Sequence, residues 1–208
     1  MLSPLHPYWN VRSIVENNPQ VIEVSMSYYC YCPQTVADSR VILNLSSAQF
    51  LDLHHVENII AETPPENELA MHSNVKLAAG SDQHLVMIDM STGAKAHLEK
   101  LRAYLGDEFF QQISWFTSGR SFHGYGDDLL GERDWRKFMG LLLLANKPRI
   151  EPTVDPRWIG HRLLAGYSAL RWTKNTSNYL AIPSRMQVNG AQKEVFRQVG
   201  ASGKPLRP

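Results

Sequence analysis

Long apolar runs are absent from this chain. The longest, from Phe138 to Ala145, is interrupted by Gly140 and falls far short of the roughly 20 residues a membrane-spanning helix needs. The opening MLSPLHPYWN lacks the basic and then apolar regions of a secretory signal, so a cytoplasmic protein with no membrane partner is expected. Cysteine is scarce. Cys30 and Cys32 stand one residue apart in YYCYC, which is neither a disulfide framework nor half of a C-x-x-C zinc site, and they are read as buried strand residues. No zinc-ligand set is present, so no zinc is expected, and no GxxxxGK[ST] phosphate loop of the helicase type occurs. With 43% hydrophobic and 20% charged residues in 208, the composition excludes a disordered chain and supports a sizeable core.

Net charge is also nearly absent, at +1, but its distribution is uneven. Between Lys147 and Lys174 six basic residues face two acidic ones, and from Arg185 to Pro208 five face only Glu194. The front of the chain is correspondingly acidic. A polyanion can therefore be met by one part of the molecule only.

Periodicity supplies the elements. Pro4, Pro7 and Pro19 bracket a short apolar helix at Val11 to Val15, and alternation over Val21 to Cys32 and Arg40 to Leu45 predicts two strands. Ser46 or Ser47 caps a helix carrying Phe50, Leu51, Leu53, Val56, Ile59 and Ile60, which Pro64 and Pro65 end. His54 and His55 are neighbours on that helix and point in different directions, so they cannot jointly face one metal and are read as structural or surface residues. After a polar connection from Glu66 to Asn74, the pattern predicts a buried strand at Leu85 to Asp89 and a helix at Thr92 to Leu105. A hairpin of Ile113 to Thr117 and Ser121 to Tyr125 follows, then a helix at Asp134 to Ala145. An extended excursion through Pro148, Pro152 and Pro156 leads to a last strand at Tyr167 to Thr173. The order βαββαβ is that of ferredoxin-like and RNA-recognition folds, a four-stranded antiparallel sheet with two helices on one face and a nucleotide platform on the other.

The hairpin turn concentrates anion-binding chemistry. Ser118, Arg120, Ser121 and His123 supply hydroxyls, a planar guanidinium fork and an imidazole, all suited to phosphate oxygens. As S-G-R-S-F-H, residues 118 to 123 resemble the second signature of the archaeo-eukaryotic primase superfamily, usually S-G-R-G-aromatic-H, whose His contacts the incoming nucleotide's phosphates. Val86 to Ser91, VMIDMS, resembles the first signature, hhhDxD or hhhDxE, with Ser91 in place of the second carboxylate. Val154 and Asp155, with the run to Leu170, Arg171, Trp172, Thr173 and Lys174, resemble the third.

The resemblance implies an α+β fold. An N-terminal αβ unit (residues 1–80) packs on the RNA-recognition-like unit (81–183), followed by a basic segment (184–208), all in one primase-like catalytic domain. It implies Asp89 and Asp155 as ligands of Mg²⁺ or Mn²⁺, and Asp89, His123 and Asp155 as the catalytic set. Ser118, Arg120, Ser121, His123, Arg171 and Lys174 are the implied nucleotide-binding residues. Asp155 before Pro156 also reads as a turn or cap residue, and Arg171 with Lys174 as a solvated strand end. A hydroxyl is a poor substitute for a carboxylate as a hard-cation ligand; Asp127 and Asp128 either compensate for Ser91 or cap the next helix. The expected function is template-dependent nucleotidyl transfer, in primer synthesis or extension. Its partners would be nucleoside triphosphates, a single-stranded DNA or RNA template, and a separate helicase or other replication protein. A non-catalytic nucleic-acid- or nucleotide-binding module on the same fold is the alternative.

Overall fold

Capping and alternation build the first unit of the computed structural model, which describes residues 1–186. Helix α1 (Tyr8–Asn17) leads into β1 (Val21–Tyr29) and β2 (Arg40–Ser46). Ser46 then caps α2 (Ser47–Leu51) through a reciprocal box with Gln49. Asp52 ends that helix and begins α3 (Leu53–Ala61), its Oδ1 accepting from His54 N at 3.0 Å and His55 N at 3.5 Å. One expected helix is thus two. The cysteines are corrected as well: β1 stops at Tyr29, which leaves Cys30 and Cys32 exposed in the connection to β2.

The expected polar connection is instead a central strand, β3 (Glu68–Leu77), buried along nearly its whole length. Its polarity is satisfied by protein rather than by water. Glu68 accepts from Thr173 Oγ1 at 2.6 Å and from the Asn175 and Thr176 amides at 2.9 and 2.8 Å. His72 Nε2 meets Ser27 Oγ at 2.7 Å, and Ser73 Oγ meets His84 Nδ1 at 3.1 Å. Composition alone made these residues look solvent-facing.

The chain continues through β4 (Asp82–Asp89), α4 (Lys95–Leu105), α5 (Asp107–Gln111), β5 (Ile113–Thr117) and β6 (Phe122–Gly131). It ends with α6 (Glu132–Leu144), α7 (Pro156–Ala165), β7 (Ala169–Arg171) and β8 (Ser184–Arg185). The fold is α+β, with one mostly antiparallel eight-stranded sheet ordered β2-β1-β3-β4-β6-β5-β8 and β7 paired to β3. β4 bonds only Asn74–Lys76 of β3; β7 takes its place beside Ala70–His72. The strand expected over Tyr167 to Thr173, seen as β7, therefore joins the sheet through β3 of the N-terminal unit.

Helices cover both faces. Met87 and Tyr125 pack with Tyr8, Phe50, Val56 and Trp172, whereas Val86 and Ile88 pack with Leu101, Trp135, Met139 and Ile159. The open platform expected on one face is thereby reduced to a cleft near the strand ends. Helix α7 is the largest departure from the extended excursion. Asp155 caps it, Pro156 fits its first turn where no N–H partner is needed, and Gly166 (φ 81) ends it. Asp127 and Asp128 lie within β6 and cap nothing, since α6 begins at Glu132 after Gly131. No helix among the described residues is long and apolar enough to cross a membrane. The basic C-terminal segment lies, from residue 187 onward, outside the described residues.

Two buried histidines make the fold acid-sensitive. His6 Nε2 donates to Trp172 O at 3.0 Å while Nδ1 accepts from Tyr8 N at 3.1 Å, an arrangement that only the neutral ring satisfies. Desolvation lowers His6 from 6.5 to about 4 and, with Arg40 and Arg162 nearby, lowers His72 to about 3. The folded state then binds fewer protons than the unfolded state, so stability present above pH 6.5 is lost as pH falls towards 4. Urea unfolding at several pH values is expected to show about 1.4 kcal/mol lost per pH unit for each histidine, and His6→Gln to remove one such contribution.

Candidate functional site

Three backbone contacts splice the start of α7 onto the end of β4. Asp155 N donates to Asp89 O at 2.9 Å, Ser91 N to Thr153 O at 3.1 Å, and Met90 forms an antiparallel bridge with Val154. Asn146, just past α6, holds the incoming segment. Its Oδ1 accepts from Thr153 N and Val154 N at 2.8 and 2.9 Å, and its Nδ2 donates to Val154 O at 2.8 Å. From the other side, His123 of β6 stands opposite Asp89 in the β4–β6 ladder, so both side chains leave the same face of the sheet. The outcome is one cleft lined by Asp89, His123 and Asp155 together.

The electrostatics of these three groups are set by burial and by one another. Desolvation, reinforced by the negative charge of Asp155, pushes the Asp89 carboxyl up to about 8. Desolvation, reinforced by Arg171, lowers His123 to about 3, so its ring is neutral. His123 Nε2 lies 3.7 Å from Asp89 Oδ1, and its buried Nδ1 has no hydrogen-bond partner. Asp155 caps α7 through Oδ1 alone, accepting from Arg157 N at 2.8 Å and Trp158 N at 3.1 Å. The cap reading and the cleft reading of Asp155 are therefore compatible.

Other expected phosphate-binding residues take different places. Ser118 and Ser121 bond one another, Oγ to Oγ at 2.9 Å, and close the turn on itself. Gly119 (φ 107) keeps that turn against Leu180 and Ala181, where a Cβ would come within 3.0 Å of Leu180 Cβ. Arg120 and Lys174 are exposed, and the cleft is lined without Ser118, Arg120, Ser121 or Lys174. Arg171 does line it but is buried rather than solvated. It donates to Thr173 O, to Ser118 O at 2.9 Å and to Ala181 O at 3.1 Å, and it stacks on Tyr179 4.0 Å from the ring centroid. Its donors fix the hairpin to β7.

The remaining wall holds residues that motif reading missed: Arg40, Arg157, His161 and Arg162, with Asp38, Tyr29 and Tyr179. The signal was present in Asp155-Pro156 followed by Gly166, which brackets a ten-residue helix. Arg157 and His161 lie four apart on it, next to Arg162. The cleft thus brings two carboxylates, Asp89 and Asp155, together with a cluster of guanidinium groups.

Among the described residues no group of three or more His, Cys, Asp or Glu side chains can hold a metal ion. Two carboxylates do suit Mg²⁺ or Mn²⁺, which keep waters and complete their shell with substrate phosphates. Positive charge between Asp89 and Asp155 would also relieve the repulsion that raises Asp89. On these grounds the residues present fit a divalent cation that arrives with a phosphorylated ligand.

The family model described as archaeo-eukaryotic primase 1D-like matches residues 47–184, about two thirds of the chain, and the chain belongs to this family. That span includes Asp89, His123, Asp155 and Arg162. No curated protein matches the chain. Membership supports a primase-like, nucleotidyl-transfer kind of function.

Asn146 is the simplest handle on the splice. Asn146→Ala removes three hydrogen bonds, and denaturant unfolding is expected to show a loss of about 2 kcal/mol. Asn146→Asp keeps the two acceptor contacts but sets a carboxylate oxygen against Val154 O, so it is expected to recover little of the loss.

Proposed function

We propose that this protein is a small primase-polymerase that joins nucleotides to a 3′-hydroxyl under the direction of a single-stranded DNA or RNA template. The observation that carries this reading is the convergence of Asp89, His123 and Asp155 in one cleft that several arginines also line. The reaction is an in-line phosphoryl transfer. The 3′-oxygen bonds to the α-phosphorus of a nucleoside triphosphate, and the bond to the departing pyrophosphate breaks. Asp89 and Asp155 would hold Mg²⁺ or Mn²⁺, and the cation would supply neutralisation of the phosphate charge. His123, neutral, donates an N–H to a phosphate oxygen of the incoming nucleotide. Arg171 holds the hairpin that carries His123, so its effect on the reaction is positional. The basic residues of the rear of the chain track the template backbone, and a separate helicase or replication protein supplies strand opening.

Ser91 favours the second reading, a non-catalytic nucleotide- or nucleic-acid-binding module. It stands where a further carboxylate would complete the cation's ligands, and it is only partly buried beside Asp89.

Primer extension on a single-stranded template, with each metal and each nucleotide set, separates the two. Wild type is expected to extend. His123→Ala and Asp155→Asn are expected to lose at least about a hundredfold in rate. Asn at 155 keeps the capping oxygen, so α7 stays in place and loss of charge is isolated from loss of fold. Ser91→Asp is expected to raise activity, most in Mg²⁺. Inactivity of wild type with both metals, alongside intact template binding, would favour the module; full activity in both His123→Ala and Asp155→Asn would place the site elsewhere.

A further inference from the structure

The connection between β1 and β2 crosses the cleft and is fastened to its basic wall. Asp38 in this connection binds Arg40 Nε through Oδ1 at 2.9 Å and Arg162 Nη2 through Oδ2. Arg157 Nη2 donates to Thr35 O at 3.0 Å. The two guanidiniums that bind Asp38 are deeply placed: the Arg162 side chain is only 3% exposed and that of Arg40 9%. Arg40 stacks on Tyr29, 4.3 Å from the ring centroid. Two buried cations thus share one carboxylate, and the Arg162 Nη1 donor is buried with no partner.

That charge count is unfavourable for the protein alone. Burial would raise the Asp38 carboxyl, but hydrogen bonds and charge from Arg40 and Arg162 hold it below its ordinary value. Burial and the neighbouring Arg40 pull Arg162 below its own ordinary value. A buried guanidinium with a free donor, lining a cleft and paired to a carboxylate on a loop, has the donor chemistry that phosphate oxygens require. A phosphate group carries more charge than Asp38 and more acceptor oxygens, enough for both guanidiniums and the orphaned Nη1 as well.

We propose that Arg162 and Arg40 bind the terminal phosphates of the incoming nucleotide, and that Asp38 is an internal stand-in which phosphate displaces, releasing the loop of residues 30–39. The proposal deepens the nucleotidyl-transfer reading and rests on it for the identity of the ligand. Arg40 and Arg162 line the same cleft as Asp89 and Asp155, so a triphosphate whose α-phosphate lies near the carboxylates has guanidinium donors in that cleft for its β- and γ-phosphates.

The probe is inorganic tripolyphosphate, titrated calorimetrically into the full chain without nucleotide or template. Wild type is expected to bind. Asp38→Asn keeps a hydrogen-bond acceptor for the arginines but removes the competing charge, and it is expected to bind at least about threefold tighter. Arg162→Gln is expected to bind about tenfold weaker or worse, and to cancel the gain when combined with Asp38→Asn. Should either variant fail to fold, hydrogen exchange on wild type gives the second reading. The Ala37 amide, which now donates to Thr35 Oγ1 at 3.0 Å, is expected to exchange several-fold faster with tripolyphosphate bound. Absence of wild-type binding, unchanged or weaker binding by folded Asp38→Asn, wild-type affinity in Arg162→Gln, or unaltered loop exchange would each overturn the proposal. Because the probe needs no catalysis, binding that behaves as expected in a protein that fails primer extension would contradict the transfer reading alone.

Discussion

The site depends on one antiparallel splice, in which the backbone of Thr153 to Asp155 is laid along Asp89 to Ser91. Without it, the two carboxylates have no reason to meet, since α6 and a proline-punctuated connection separate them in the chain. Asn146 makes the splice specific by using one side-chain amide to imitate a strand partner for Thr153 and Val154. Asp155 then serves two ends: Oδ1 starts α7, and the position of α7 brings Arg157, His161 and Arg162 to the cleft. Helix geometry and carboxylate placement share a single cause.

The cleft's charge arrangement follows from that geometry. Burial and the negative charge of Asp155 together raise Asp89, while Arg40 and Arg162 crowd around Asp38 alone. Each cluster is costly in isolation. Both are relieved by a ligand that is anionic at one end and brings a cation at the other, which is the chemistry of a metal-bound triphosphate. Neutral His123 adds a donor beside Asp89 without adding charge.

Much of this was legible in the residues. The S-G-R-S-F-H turn and the Val86–Asp89 strand pointed to the right pair of neighbouring strands, and family membership agrees with the resemblance they carry. Asp89, His123 and Asp155 were singled out from sequence and do share the cleft. Two things were hidden. β3 looked like a polar connection because Glu68, His72 and Ser73 are satisfied by partners distant in sequence, and periodicity sees only neighbours. Helix α7 was hidden by reading Pro156 as a breaker rather than as a first-turn residue, and Arg162 was lost with it. Arg120 and Lys174 were chosen for charge and position in a motif, which do not fix the direction of a side chain.

A crystal structure of the protein with Mn²⁺ and a non-hydrolysable nucleoside triphosphate tests the central claim most directly. Anomalous scattering is expected to place manganese in contact with both Asp89 and Asp155, with His123 against the triphosphate. A nucleotide seated instead on the exposed turn at Arg120, or manganese bound without either carboxylate, would contradict the account.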